Sequence, residues 1–357
     1  MESILPSLPI APQYHMTLLK LNVNQSATPV FLTIGIFRKM KQSILVTGGM
    51  GFVGGRVAQS LAVCDDVAIT IGSRKSQANP YWLPNAQVVA MDWHSPESLT
   101  LACDGIDTLV HLAGMNDSDC LRDPVAALEA NAVNTARLMQ AAKEAGIKRV
   151  IYFSTAHVYG PSLVGQIDES TLPKGIHPYA TSHRAAEDVV LAAANANMDS
   201  IVLRLSNGFG VPAHAAVNAW MLLVNDLCRQ AVTLRSMSLR STGLQRRDFI
   251  TLHDISQVVA HMIFLPNNQV GDGLFNVGCG KSLRVIDMVE LIQIRCTEVL
   301  GYTPKIIRPQ PIEGDESPSL DYRINKLLST GFTLSGNSPS EIDEILRMCN
   351  KSFMVKV

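Results

Sequence analysis

Residues 47–54, TGGMGFVG, constrain the chain more than any other stretch, because an apolar run at 43–47 leads straight into them and a helical pattern follows. The order is strand, tight glycine turn, helix. Glycines spaced as Gly48, Gly51 and Gly54 let the backbone turn with positive φ, bring a pyrophosphate close to main-chain amides and seat a helix start on a sheet. A glycine turn alone fits many loops, so the surrounding pattern has to carry the reading.

That pattern alternates. Residues 67–71, 87–91, 108–113, 149–154 and 200–205 read as short apolar strands, and 126–145 and 179–194 read as helices between them. Strands alternating with helices predict right-handed crossovers and an α/β fold with a doubly wound parallel sheet, its ligand at the C-terminal ends of the strands. With 47% hydrophobic and 17% charged residues, the 357-residue chain can bury one large core or two modest ones. Thirty basic residues against 31 acidic ones give a net charge of −1, which excludes a general positive field for nucleic acid or an acidic membrane surface. Seven scattered cysteines without a C-x-x-C pair predict reduced thiols, no metal site and a cytoplasmic location.

Residues 1–39 stand apart, with four prolines and one apolar run at 30–37. Eight residues are too few to span a bilayer, and the basic cluster Arg38, Lys39, Lys41 follows the run instead of preceding it, unlike a signal peptide. The expectation is a loosely ordered extension, or codons upstream of a start at Met40.

From about residue 42 to 332 the chain resembles the extended short-chain dehydrogenase/reductases, in particular the NAD(P)-dependent nucleotide-sugar epimerases and dehydratases. The resemblance rests on motifs in family order: TGGMGFVG, Asp92 at a strand end, VHLAG at 110–114, Asn131, FSTAHVYG at 153–160, PYATSH at 178–183, RLSNGFG at 204–210, RRDFI at 246–250 and FNVG at 275–278. It implies a Rossmann domain over 40–206, completed by part of 248–275, and a smaller C-terminal substrate-binding lobe over most of 207–357. A homodimer through the helices at 126–145 and 179–194 is a further implication.

By the same resemblance Gly48, Gly51, Phe52, Val53 and Gly54 would hold the pyrophosphate, Asp92 and Trp93 would border the adenine, and Leu112, Ala113, Gly114 and Asn131 would lie along the cofactor. The second strand runs out into Gly72, Ser73, Arg74 and Lys75, without the carboxylate that would bind the adenosine ribose of NAD. A hydroxyl and two cations suit a 2′-phosphate, so Ser73 and Arg74 favour NADP over NAD. The alternative is that Arg74 and Lys75 simply open a solvated loop.

Tyr179 matches the family tyrosine that passes a proton to or from a sugar hydroxyl, and Thr155 matches its hydroxyl partner. The family lysine four residues after the tyrosine, which supplies a cation and holds the nicotinamide ribose, is His183 here. Two readings stay open: an enzyme using His183 in the lysine's role, or a site that binds nucleotide without turnover. Ala156 and His157 replace the Asp-Glu pair of the dehydratases, which disfavours dehydration and leaves epimerisation or ketone reduction, on a sugar or on a non-sugar carbonyl. His157, Asn207, Arg247 and Arg308 are the candidate substrate-binding residues, with an Arg247–Asp248 surface ion pair as the plainer alternative.

Overall fold

The computed structural model describes residues 41–354, so the expectations for 1–39 lie outside the described residues. The first half runs β1 (Gln42–Thr47), α1 (Phe52–Leu61), β2 (Val67–Ser73), β3 (Gln87–Ala90), α2 (Pro96–Cys103) and β4 (Thr108–His111). Ile44, Leu45 and Val46 are consecutive and fully buried, as a parallel strand covered by helices on both faces requires. Next come α3 (Asp117–Arg122), α4 (Pro124–Leu128) and α5 (Asn134–Glu144). A π-helical turn at Glu129–Val133 joins the last two, so the single helix expected over 126–145 is interrupted. There the Thr135 hydroxyl donates to the Asn131 carbonyl (2.6 Å), and the Asn131 side chain is drawn fully inside.

β5 (Arg149–Thr155) is buried along its whole length and passes through a 3-10 turn to β6 (Gly165–Ile167), α6 (Pro178–Ala192) and β7 (Asp199–Leu205). The chain then leaves for a second region with β8 (Asn207–Phe209), α7 (Leu223–Leu234), β9 (Ser236–Ser238) and β10 (Arg246–Thr251). It returns through α8 (Leu252–Phe264) and β11 (Leu274–Val277). β12 (Ser282–Arg284), α9 (Val285–Leu300), β13 (Lys305–Ile307), β14 (Leu320–Tyr322), α10 (Asn325–Ser329) and α11 (Ser338–Phe353) complete it.

The main sheet has seven parallel strands in the order β11-β7-β5-β4-β1-β2-β3. From β1 the chain winds outward to β3 and then crosses back to β4, which opens a crevice at the strand C-termini between β1 and β4. One core cluster holds α1 and α8 on one face, a second holds α2, α5 and α6 on the other, and a third forms the smaller lobe from α7, α9 and α11. The lobe is tied back at two points: β14 pairs with β6, and Glu341 on α11 accepts from the Val211 amide (2.9 Å) while facing Arg56 of α1 at 3.8 Å. Among the described residues no helix is long and apolar enough to cross a membrane.

Candidate active site

The glycine turn is built by backbone contact. Gly48 has φ +69°, and a Cβ there would lie 2.7 Å from the Ala113 nitrogen; at Gly54 a Cβ would meet the Gly48 carbonyl at 2.3 Å. α1 starts at Phe52 with Gly51 as its cap and no side chain on its first amides, so these N–H groups and the helix dipole face the crevice and fit a pyrophosphate.

A buried chain of hydroxyls supports the turn from below. Thr135 gives its proton to the Asn131 carbonyl, so His111 Nε2–H must donate to Thr135 Oγ1 (2.9 Å), and His111 Nδ1 accepts from Thr47 Oγ1 (2.6 Å). Burial pushes the His111 pKa down to about 3 and keeps the ring neutral. Thr47 Oγ1 also accepts the Ala113 amide (3.3 Å), which fixes the segment Leu112, Ala113, Gly114 against the turn. Asn131 is fully buried against that segment: its Oδ1 accepts from the Met115 amide (2.6 Å) and its Nδ2 donates to Ser182 Oγ (2.9 Å).

At the end of β2, Ser73 Oγ accepts from the Lys75 amide (3.3 Å) and Gln77 Nε2 (3.0 Å), and Arg74 is exposed. Asp92 is exposed as well, its carboxylate accepting the His94 amide (2.9 Å), and the partly buried Trp93 lies 6.1 Å from the His111 ring.

Tyr179, His183 and Glu187 share one face of α6, each four residues apart. His177 caps this helix by accepting the Tyr179 amide on Nδ1 (3.2 Å), and Pro178 fills the first position, which brings the tyrosine to the end of β5. Burial pushes the Tyr179 phenol up to about 12, while its hydrogen bond to Thr155 pulls the other way. The His183 ring packs edge-on at 4.5 Å and is itself buried, so its pKa falls to about 4 despite nearby Glu187. His157, 6.3 Å from the Tyr179 ring at the cavity mouth, is open to solvent yet crowded enough by protein that its pKa is also lowered. Both histidines are thus neutral near pH 7, and neither gives Tyr179 the positive neighbour that a lysine would.

Glu187 pulls the His183 pKa up only against the larger effect of burial, and its own acceptor positions are taken by other donors. Ser154 Oγ (2.5 Å) and Arg204 Nε (2.9 Å) donate to Oε1, and Arg204 Nη2 (2.7 Å) and Arg184 Nη1 (2.8 Å) donate to Oε2.

Next to Thr155 opens a cavity of about 340 Å³ lined by His157, Asn207, Arg246 and Arg247, with Ser317 and Pro318 on its far wall. Asp248 is fully buried, accepting from Ser206 Oγ (2.5 Å) and the Cys279 amide (2.9 Å), and Arg247 makes no ion pair among the described residues. Arg308 is not brought into this cavity: it lies beyond β13 with its guanidinium turned to the Thr242 carbonyl. Sequence reasoning also passed over Arg246, whose signal was its place beside Arg247 in RRDFI, and Tyr152, whose hydroxyl lies 2.7 Å from His183 Nδ1.

The chain matches the NAD dependent epimerase/dehydratase family over residues 44–278. It is 30% identical to dTDP-D-glucose 4,6-dehydratase of Mus musculus over 271 residues, covering 70% of this chain and 72% of that protein. It is 29% identical to UDP-glucose 4-epimerase of Azospirillum brasilense, covering 70% and 76%. In structure it resembles MoeE5 in complex with UDP-glucose and NAD, with a TM-score of 0.71 and 23% identity over 87% of this chain and all of that one. A doubly wound sheet, a glycine turn at its switch point and a family match across both place this chain in the NAD-dependent epimerase/dehydratase family.

Proposed function

We propose that this protein is an NAD(P)-dependent oxidoreductase of nucleotide-activated sugars that works chiefly as a ketone reductase, with Tyr179 as the proton donor. The observation that carries this reading is the Tyr179–Thr155 pair near a cavity lined by Arg247 and Asn207, with no cation among the described residues acting on the phenol. When bound, the dinucleotide supplies the hydride. A phenol with a pKa of about 12 keeps its proton at neutral pH, and so is ready to protonate the oxygen of a carbonyl that is being reduced. Epimerisation would first need the phenolate to remove a hydroxyl proton, and that half of a cycle is the slow one in this site. Arg247 and Arg246 suit a diphosphate, and Ser73 with Arg74 suits the 2′-phosphate of NADP. His183 would reach the nicotinamide ribose as a neutral hydrogen-bond donor.

All seven cysteines are free thiols, which supports a reducing compartment such as the cytoplasm. Exposed Leu128 and Val133, on the stretch 126–145, support a homodimer through the helices at 126–145 and 179–194. A second reading, binding without turnover, draws on the same neutral His183. The two separate when purified protein is given NADPH or NADH with a panel of keto and hydroxy nucleotide sugars. The expected result is loss of reduced-nicotinamide absorbance with a keto substrate, faster with NADPH. Cofactor binding with no turnover of any carbonyl substrate would replace the reductase reading by the second.

A further inference from the structure

We infer that Tyr152 is a positioning residue: its hydroxyl donates to His183 Nδ1 and holds the imidazole as the tautomer whose proton sits on Nε2, the nitrogen left to serve the cofactor. This rests on the reading of His183 as the ribose-holding group, and goes beyond it by saying what orients that group.

Tyr152 lies mid-strand in β5 and points with Val150 and Ser154 toward the α5–α6 layer, where it is among the largest fully buried side chains. A buried phenol has one proton to place. Among the described residues its hydroxyl has a single polar partner, His183 Nδ1 at 2.7 Å. If Nδ1 carried the proton and donated, the Tyr152 O–H would be left buried without an acceptor, which protein interiors avoid. If Tyr152 donates, both groups are satisfied. Glu187 offers no competing acceptor, since two arginines and a serine hold both its oxygens. Burial keeps the Tyr152 pKa well above its ordinary value, and so preserves the proton this arrangement needs.

The ring edge away from Tyr152 approaches the segment 112–114. His183 Cε1, the carbon between the two nitrogens, lies 3.9 Å from where a Cβ on Gly114 would stand, on the segment that runs against the glycine turn. Nε2 has no hydrogen-bond partner among the described residues, in contrast to His111, whose two nitrogens are both committed. Thus one strand hydroxyl turns a ring that could carry its proton on either nitrogen into a donor of fixed direction.

The test uses the full-length protein labelled with heavy nitrogen at histidine, with the His183 signals assigned by their loss in His183→Gln. Near neutral pH the His183 ring should show a bare Nδ1 and a protonated Nε2. Tyr152→Phe keeps the ring and its packing, so a purely structural role would leave those signals in place. Instead both nitrogens should move toward tautomer-averaged positions, and NADPH should bind about fivefold more weakly, the usual worth of one hydrogen bond. A proton on Nδ1 in the wild type, or unmoved nitrogens in Tyr152→Phe, would overturn the inference. Moved nitrogens with unchanged NADPH affinity would uphold Tyr152 as the orienting group and remove His183 from the cofactor. Should Tyr152→Phe fail to fold, the wild-type tautomer decides.

Discussion

The glycine turn and the Tyr179 face open onto the same edge of the sheet, yet they are made by different means. The turn is made of backbone: Gly48 and Gly54 are packed so closely that no side chain fits, and what it presents are amides that carry the same partial charge whatever surrounds them. The Tyr179 face is made of side chains whose charge depends on burial and partners. His183 there is neutral because of where it lies, although in water it would be partly charged near neutral pH. A backbone site therefore tolerates change around it, whereas a titrating site can keep its residues and alter its chemistry.

The largest effect that can break this contrast falls on the side-chain half. Tyr179→Phe should lower turnover by about 10²–10⁴-fold while leaving cofactor affinity unchanged, because only the hydroxyl proposed to transfer the proton is removed. Steady-state rates on a verified substrate and a cofactor titration check both parts, and equal weakening of binding would show that the two halves are not separable.

Gly54→Ala should do the opposite. Its Cβ would sit 2.3 Å from the Gly48 carbonyl, so the turn must open, at about 1–3 kcal/mol of stability. Cofactor affinity should drop steeply while the protein still folds, as measured by thermal melts beside the same titration. Unaltered cofactor affinity would mean that the amides are not the pyrophosphate cradle.

The smallest effect concerns acid. His183 has a folded pKa of about 4 against an ordinary value of 6.5, so below pH 6.5 the unfolded chain takes up a proton that the folded one refuses. Stability from this group is complete above about pH 6.5 and drains away as the pH falls to about 4. The melting temperature should decline over that interval, and less so in His183→Gln; equal slopes would mean that His183 is not held neutral by the fold.

The sheet, the glycine turn and the order of the motifs were legible in sequence because each is local: apolar runs of strand length, glycines at fixed offsets, a tyrosine in a short helix-opening motif. The interruption at Asn131 was not, since one extra residue in a helical turn leaves the local composition unchanged. Nor was the Tyr152–His183 pair, where a phenol in an apolar strand reads as core until its partner, 31 residues on, is seen beside it. The placement of Arg308 was not legible for a related reason: an arginine announces charge but not direction, and this one is turned to a carbonyl of its own chain.

The path of the chain through its two regions also sets a timetable for its making. Strand β7 waits for β11, which begins at Leu274, and β6 waits for β14, where Gly165 pairs with Leu320. A growing chain that has finished β7 thus presents an unpaired, apolar strand edge until some 70 more residues have been added, and the lip over the cavity closes later still. Pairings this distant in sequence are slow to find. The half of the molecule that resembles a self-sufficient nucleotide-binding unit is therefore left with an open strand edge until β11 has been made.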